Sequence, residues 1–460
     1  MTATVAPRTE AAWHRRDASI ADVLAAMSDI RRKFAREEAG DDDAHPHPRS
    51  CVMTLIAVAT TDAEEQRAQD IARRIAAQHP AQAIVVREQH ALRGSQVEAW
   101  IHTDVQRPQE ACAVQCELVT LHVRGAAGEH LAAIVDPMLV SGVPTYLWWV
   151  GTPAFGKREL EDALHVCDAL IVDSARFDEP AHGFHGLARL TTSAHRQLGV
   201  ADFQWSRLRT WREMTAQFFS PLERREFLSG ISQIAIDYAG DGRGNLVAAG
   251  LLTGWLSSSL GWKLRHASSG GGGSASLNFS ALRGHPVEVR LRSVDRAGPV
   301  EGELCAVRVA GAAQRTTFRL EVELNPPRRR APEGSSYQAL HPVGAHDDAG
   351  FELASRRAEQ HRGVLHSRLH TLHHTASGDA PGESRPRHPM VHSEDRRRPE
   401  KTAQLLLTVI QIGEGQTLRQ VQQLEPPDEA ELLLDLLAGG TRDAVFQRSL
   451  EAANALMRAL

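Results

Sequence analysis

The chain has 460 residues, of which 42% are hydrophobic and 24% are charged. This length exceeds what a single hydrophobic core usually serves, so we expect two folded units with appended segments. The formal net charge of -5 gives no positive field that would hold a nucleic acid or an anionic membrane surface. The sequence shows neither a signal-peptide pattern nor a run of about 18 apolar residues, and its five cysteines are scattered. We therefore expect a cytoplasmic protein that binds neither nucleic acid nor membrane.

Residues 1–48 predict an amphipathic helix followed by a linker. Apolar residues recur at helical spacing over residues 20–38. The stretch 40–48 is acidic and contains His and Pro, a composition that cannot build a core. We expect the first folded unit to begin at residue 49.

Strand-like and helical runs alternate over residues 49–176. The run 51–60 is almost continuously apolar, and the segment 64–77 then changes to a 3.6-residue period. Further strand-like runs lie at 83–87, 97–103, 114–123, 145–150 and 169–172. Such alternation is typical of a mostly parallel or mixed sheet with helices on both faces. The sequence therefore predicts a Rossmann-like α/β domain over residues 49–176.

A second α/β or α+β domain is predicted over residues 177–325. Helical segments at 182–197 and 210–219 precede a strand at 231–238, a helix at 246–260 and three further strands. Residues 326–401 are rich in Pro, Arg, Asp and His without sustained apolar periodicity, which indicates a disordered insertion. In this interpretation a strand and two helices over residues 402–460 complete the second domain.

The segment 231–252 resembles a nucleotide-binding turn. A strand runs into the glycine-rich stretch 240–244 and then into an apolar helix, which is the layout that places a pyrophosphate at a helix N-terminus. Asn245, however, stands where the dinucleotide fingerprint that starts at Gly240 needs its third glycine. A plain tight turn explains the pattern better.

Metal and catalytic motifs are no stronger. Cys112 and Cys116 have no second Cys/His pair near them at zinc spacing, which favours structural thiols. Four histidines could share a helix face but lie in the low-complexity insertion: His366, His370, His373 and His374. No nucleophile elbow or metalloprotease helix is present. We expect no catalytic, cofactor-binding or metal-binding residue.

Tryptophan and arginine supply the candidate partner-binding residues, because both types are enriched in protein interfaces. Trp148 and Trp149 are neighbours on a predicted strand and must point to opposite faces, so burial of each against a helix layer is an equally good explanation. The preferred contact region is the later group around residues 205–212. The candidates are Trp148, Trp149, Trp205, Arg207, Trp211 and Arg212.

Several motifs, in order, resemble those of one family. The segment VDPMLVSGVPTYLWW (135–149) is followed by CDALIVDSA (167–175), by DFQWSRL (202–208) with WRE (211–213), and by a helix containing GWL and LGW (254–262). These motifs span roughly residues 51–324 and resemble the glucose-6-phosphate dehydrogenase assembly protein OpcA family, including its D-x-x-W-x-R and W-R-E signatures.

The resemblance implies a non-catalytic partner that glucose-6-phosphate dehydrogenase needs for full activity and correct oligomer assembly. That enzyme feeds the oxidative pentose phosphate pathway and so supplies NADPH. A partner that binds one state of the enzyme acts as an allosteric activator, because binding shifts the population toward that state. The alternatives are a Rossmann-like enzyme or sensor that binds a nucleotide or sugar phosphate at the glycine turn, and a scaffold whose insertion recruits another protein.

Overall fold

The computed structural model describes residues 9–39, 51–76, 79–89, 94–106, 114–192, 198–240, 245–296, 302–324, 404–414, 416–424 and 428–460. Within these ranges the chain forms two eight-stranded sheets with helices packed against them. The α/β class predicted from the sequence is confirmed. The insertion predicted at 326–401 lies outside the described residues. No helix in the described ranges is long and apolar enough to cross a membrane.

The strands, in chain order, are β1 (Thr9–Arg15), β2 (Met53–Ala59), β3 (Ala81–Gln89), β4 (Ser95–Gln106), β5 (Val114–Gly125), β6 (Thr145–Trp149), β7 (Ala169–Val172), β8 (Gly199–Asp202), β9 (Ile231–Ala239), β10 (Lys263–Ser269), β11 (Ala275–Ser280), β12 (Pro286–Val294), β13 (Leu304–Ala313), β14 (Thr316–Leu324), β15 (Gln404–Ile412) and β16 (Gln416–Leu424). The α-helices are α1 (Ile20–Ala39), α2 (Asp62–Ala76), α3 (Leu131–Val135), α4 (Arg158–Ala163), α5 (Pro180–Thr192), α6 (Phe203–Arg207), α7 (Arg209–Phe219), α8 (Val247–Ser259), α9 (Glu429–Gly439) and α10 (Ala444–Ala459).

The first sheet has the order β1-β4-β5-β3-β2-β6-β7-β8. Every neighbouring pair from β5 to β8 is parallel, whereas β4 and β1 are added antiparallel at the β5 edge. When the six parallel strands alone are numbered along the chain, the sheet reads 3-2-1-4-5-6. This is the strand order of the Rossmann fold, so the predicted Rossmann-like architecture is confirmed.

Helices cover both faces of this first sheet, which explains why its central strands are apolar throughout. On β2 every residue is buried. Leu55 and Ala57 pack into one core with α2 and α9, whereas Ile56 and Val58 pack into the other core with α1 and α5. A strand buried on both faces has no polar alternation, as the sequence run 51–60 indicated.

The second sheet has the order β10-β11-β12-β9-β13-β14-β15-β16, and β12 and β9 form its parallel pair. One face packs on α7, α8 and α10. On β14, Phe318, Leu320, Val322 and Leu324 point into that core, while the intervening residues are less buried. This period of two is the pattern of a sheet with only one face covered.

Ion pairs cross the other face of the second sheet. Asp237 on β9 accepts hydrogen bonds from Arg292 on β12, at 2.7 Å from Nε, and from Arg308 on β13. Arg308 Nε also donates to Glu321 on β14 at 2.7 Å. Four neighbouring strands are thereby joined by alternating charges on the open face.

Three elements lie elsewhere than the sequence predicted. β1, in the segment expected to hold only a helix and linker, pairs with β4, and β8 extends the first sheet beyond the boundary expected at residue 176. β8 has four residues, too few to show a period. Helix α9 was expected to complete the second domain, but Ala430, Leu432 and Leu433 pack on the first sheet because its apolar side fills the core beside α2. Helix α10 packs against both α8 and α5.

Candidate functional site at the carboxyl edge of the first sheet

Open α/β sheets bind ligands at the carboxyl ends of their strands, at the point where the strand order reverses. In the first sheet this point lies between β2 and β6. The Glu64 carboxylate lies there, accepting hydrogen bonds from the backbone N–H of Thr60 at 2.7 Å and of Thr61 at 3.2 Å. A Cβ built on Gly151, just after β6, would stand 2.5 Å from Glu64 Oε1. The protein's own carboxylate therefore takes the place at the start of α2 where Rossmann proteins hold a pyrophosphate.

An ion-pair network lies beside Glu64 at the same edge. Arg67 of α2 donates to Glu429 of α9 through Nε and Nη2, each at 2.7 Å, and to Asp173 at 3.1 Å. Arg207 binds the buried Asp173 carboxylate through two hydrogen bonds of 2.6 and 3.0 Å. Arg176 reaches Asp173 at 3.2 Å and Glu429 at 3.3 Å. The network joins the end of β7, helices α2 and α6, and the start of α9.

Both carboxylates of this network are held in the ionised form. Burial opposes ionisation of Asp173, but the hydrogen bonds and charge of Arg207, with Arg67 and Arg176, outweigh it and lower its pKa. Burial likewise opposes ionisation of Glu429, and Arg67 contributes most to the net lowering of its pKa. Charge-assisted forks of this kind fix geometry as well as adding energy. The network therefore works as a rigid cross-link.

Asp202, the first residue of the D-x-x-W-x-R motif, ends β8 and caps α6. Its completely buried carboxylate accepts hydrogen bonds from the Ser174 N–H at 3.0 Å, the Ser174 hydroxyl at 2.6 Å and the Gln204 N–H at 3.0 Å. Burial raises the pKa of Asp202 to about 6, against the opposing effect of the Ser174 hydrogen bonds. This residue fixes the turn into α6 to the end of β7.

Trp205 and Arg212 hold the start of α10. Trp205 Nε1 donates to Asp443 Oδ2 at 2.9 Å, and the indole packs against Phe446 with ring centroids 5.6 Å apart. The Arg212 guanidinium lies 3.5 Å over the same indole and donates to the Trp205 carbonyl at 3.2 Å. Burial lowers the pKa of Arg212 to about 10. Since Asp443 is also the N-cap of α10, the motif sets where this helix begins.

The six predicted partner-binding residues divide into two groups. Trp205, Arg207, Trp211 and Arg212 lie together on α6 and the start of α7, whereas Trp148 and Trp149 lie on β6. The four indoles are at most 5% exposed. Trp148 and Trp149 bury against opposite helix layers, which is one of the two explanations that the sequence left open for them. The structure therefore shows the four tryptophan rings packed in the core. Rings in this position do not themselves form an exposed docking surface.

At the end of the glycine turn after β9, Asn245 makes two hydrogen bonds that its mismatch with the dinucleotide fingerprint did not reveal. Residues 241–244 lie outside the described ranges, but Asn245 is described. Its Oδ1 accepts from the Val247 N–H at 3.1 Å, and its Nδ2 donates to the Ala175 carbonyl at 2.8 Å. Asn245 thus accepts a hydrogen bond from the first turn of α8 and ties that turn to the segment after β7, and a glycine has no side chain to make either bond.

The predicted thiol and histidine groups give no site within the described ranges. Cys116 lies on β5, in agreement with the predicted strand. Cys112 and the histidines at 366–374 lie outside the described residues. Among those that are described, no group of three or more His, Cys, Asp or Glu is arranged to hold a metal ion.

From the sequence, no role was predicted for Glu64, Arg67, Asp173, Glu429 and Asp443, although Asp173 lies in one of the family motifs, CDALIVDSA. The sequence held signals for the starts of two helices. Asp428 with Glu431 forms a capping box at the start of α9, and Asp443 precedes the apolar helical period of α10. The partnership of Arg67 with Glu429, however, joins residues 362 positions apart. A single sequence carries no pattern that would reveal it.

The fold and the site define a class: a two-domain α/β protein in which the Glu64 carboxylate caps α2 at the switch point of a Rossmann-type sheet. The family model described as the glucose-6-phosphate dehydrogenase subunit N-terminal domain matches residues 72–189, and the corresponding C-terminal domain model matches residues 198–450. The chain belongs to the glucose-6-phosphate dehydrogenase assembly protein OpcA family, as its motifs indicated.

Curated relatives support this assignment. The chain is 31% identical over 221 residues to a protein of Nostoc punctiforme, covering 47% of this chain and 46% of the relative. It is 29% identical over 277 residues to a protein of Synechocystis, covering 59% of this chain and 57% of the relative. Both carry the provisional name OxPP cycle protein OpcA. The chain spans about half the length of the curated relatives it matches.

Solved structures add little. An oxidoreductase from Sinorhizobium meliloti is 12% identical with a TM-score of 0.35, covering 58% of this chain and 72% of that one. UDP-N-acetylglucosamine 3-dehydrogenase GnnA from Acidithiobacillus ferrooxidans is 9% identical with a TM-score of 0.33, covering 89% and 98%. At these scores the likeness carries no argument about what this chain does.

Proposed function

We propose that this protein is a non-catalytic assembly factor and allosteric activator of glucose-6-phosphate dehydrogenase in the oxidative pentose phosphate pathway. The observation that carries the proposal is the crevice of the first sheet, where Glu64 occupies the pyrophosphate position and Arg67 is engaged by Glu429. A Rossmann-type sheet whose own side chains fill its ligand position is suited to binding a partner rather than a nucleotide. The family assignment over both domains supports glucose-6-phosphate dehydrogenase as that partner.

A protein that catalyses no reaction can activate an enzyme if it binds two states of that enzyme with different affinities. If it binds the active assembly of the dehydrogenase more tightly than the inactive one, it shifts the population toward the active state. Coupling energies of about 1–3 kcal/mol correspond to changes of roughly 5- to 150-fold in affinity. The cross-links at Asp173 and Trp205 support this role, because a preordered surface loses little conformational freedom on binding.

The test is steady-state kinetics of the purified dehydrogenase with and without this protein. We expect turnover to rise, or the apparent KM for glucose 6-phosphate to fall, and the effect to saturate at a fixed molar ratio. The two proteins should also co-elute on size exclusion. Unchanged kinetics together with separate elution, or a turnover that this chain sustains alone, would contradict the proposal.

The alternative of a nucleotide or sugar-phosphate sensor has its own experiment. Calorimetric titration of the protein alone with NADP, NADPH, ATP and glucose 6-phosphate tests both the glycine turn after β9 and the crevice at Glu64, and it should give no heat of binding if neither holds a ligand. The variant Glu64→Ala is the matched comparison, since it empties the position beside Gly151. Binding of any of the four by the unmodified protein would favour the sensor.

A further inference from the structure

The second sheet ends in a ribbon of two strands, β15 and β16, with apolar side chains in solvent. Six large hydrophobic residues are exposed in the described part of the chain, and three of them lie on this ribbon: Leu405 at 46%, Leu418 at 55% and Val421 at 62%. Leu418 and Val421 are three positions apart on β16, so they point to opposite faces. Within the described residues, each face of β16 therefore carries one large apolar side chain that is exposed.

Among the described strands, none pairs with the outer edge of β16. β16 pairs with β15 along its length and stands last in the order of the described strands. Exposed edge strands are normally protected by charges, bulges or a covering element. β10, at the opposite end of the same sheet, has all of these: Lys263, Arg265 and His266, a register shift between Leu264 and His266, and α10 packed against it. The nine residues of β16 carry a single charge, Arg419.

We propose that β16 pairs with β16 of a second copy of this chain, antiparallel about a two-fold axis at Val421. In a two-fold pair, residues whose numbers sum to a fixed even value stand opposite each other on the same face. An axis at Val421 sets apolar against apolar and amide against amide, namely Val421 with Val421, Leu418 with Leu424 and Gln420 with Gln422, and it places Arg419 opposite the neutral Gln423.

Registers with the axis one or two residues earlier pair the side chains less favourably. An axis at Arg419 places two like charges directly opposite, which is destabilising. An axis at Gln420 sets Val421 against Arg419 and Leu418 against Gln422, so that each apolar side chain meets a polar one. Among the registers that pair at least seven of the nine residues of β16, the axis at Val421 is thus the one without such mismatches. This self-complementarity favours a second copy over an unrelated partner.

The inference does not rest on the proposed function, and its test uses this protein alone. Sedimentation velocity at concentrations up to about 100 μM is the appropriate range, because a single strand pair buries less surface than a standard interface and is expected to bind in the micromolar range. The unmodified protein should show a concentration-dependent dimer. A monomer throughout overturns the proposal, whether the ribbon is then covered by the dehydrogenase or by residues 325–403.

Charge substitutions at the axis give the sharper readout. Val421→Lys and Val421→Glu should each be monomeric, since each places like charges face to face, and an equimolar mixture of the two should dimerise again. Leu222→Lys is the matched control, because Leu222 is 76% exposed but lies off the ribbon. Circular dichroism checks that all variants fold. Dimers of either single variant, or a mixture that stays monomeric, count against the pairing.

A cysteine pair then tests the register. Directly opposite Cα atoms in an antiparallel pair are about 4.5–5.5 Å apart, which suits a disulfide. Val421→Cys should form a cross-linked dimer under mild oxidation, at a rate well above both the unmodified protein and Gln420→Cys. Equal or faster cross-linking of Gln420→Cys would refute the axis at Val421.

Discussion

Asp202 is the buried carboxyl group with the clearest consequence for stability. Its pKa is raised from 3.8 to about 6, mainly by burial. The folded protein therefore holds this proton more tightly than the unfolded chain. That contribution to stability is complete below about pH 4 and is lost as the pH rises through about 6, and the full difference amounts to about 3 kcal/mol.

The variant Asp202→Asn isolates this effect because it cannot titrate. Urea unfolding of both proteins should be measured between pH 4 and 7.5. The free energy of unfolding of the unmodified protein, relative to the variant, should fall by about 3 kcal/mol across that window and then level off. A relative stability that rises with pH would show that the three hydrogen bonds to Asp202 outweigh its burial.

A substitution of Trp211 separates a role in core packing from a role in contact with the partner. Trp211 is 5% exposed, and a buried tryptophan replaced by alanine typically costs about 3–5 kcal/mol. We expect Trp211→Ala to lose that much stability in urea unfolding followed by circular dichroism. The control Leu222→Ala, at a highly exposed position, should change stability by less than about 0.5 kcal/mol. A Trp211→Ala protein that keeps full stability but fails to bind the dehydrogenase would instead make Trp211 a contact residue.

At this scale the sequence identified residues better than it identified their roles. The motif residues Asp202, Trp205 and Arg207 were singled out, and the structure gives each a defined partner. The partners Ser174, Asp443 and Asp173 were not identified, because a buried hydrogen bond or ion pair joins positions that are distant along the chain. Composition alone cannot distinguish a tryptophan in an interface from one in a core.

Helix α9 depends on Glu429 for its attachment to the first sheet. Glu429→Gln removes a partly buried charge and weakens the fork from Arg67, so we expect a loss of about 1–3 kcal/mol. Hydrogen exchange should rise over α9 and much less over α10, which the separate Trp205–Asp443 contact holds. Asp435→Asn is the control, since its pair with Arg209 is half exposed on both sides and is worth about 0–1 kcal/mol. Equal protection of α9 in Glu429→Gln and Asp435→Asn would show that its apolar packing alone suffices.

The elements that the sequence predicted well are those whose burial is uniform. β2, β6 and β7 are short apolar runs covered on both faces, and the sequence predicted each of them as a strand. β16 was missed because its sequence, QTLRQVQQL, is neither apolar nor alternating. β8 was missed because four residues show no period. The placement of α9 on the first sheet could not be predicted, since an amphipathic helix indicates that it packs without indicating on what.

At the scale of the whole molecule, the C-terminal segment joins the two sheets. α9 contributes to the core beside α2, and α10 packs against α5 and α8. The Asn245–Ala175 hydrogen bond adds a further link between the domains. These links follow from contacts between distant parts of the chain. The family, by contrast, was evident from short motifs, because those motifs hold the turns and caps at which the links are made.

The long connection between β14 and β15 provides the last prediction. The two strands pair antiparallel, with Leu324 opposite Leu406, so their ends lie within about 6 Å of each other and a hairpin loop of a few residues can join them. Replacing residues 326–403 with such a loop should leave the melting temperature and the activation of the dehydrogenase largely unchanged if the described body is what binds. A loop variant that folds normally but no longer activates the enzyme would instead assign the binding to the removed segment. Adding the separately expressed segment back to that variant, and finding activation restored, would establish the scaffold alternative.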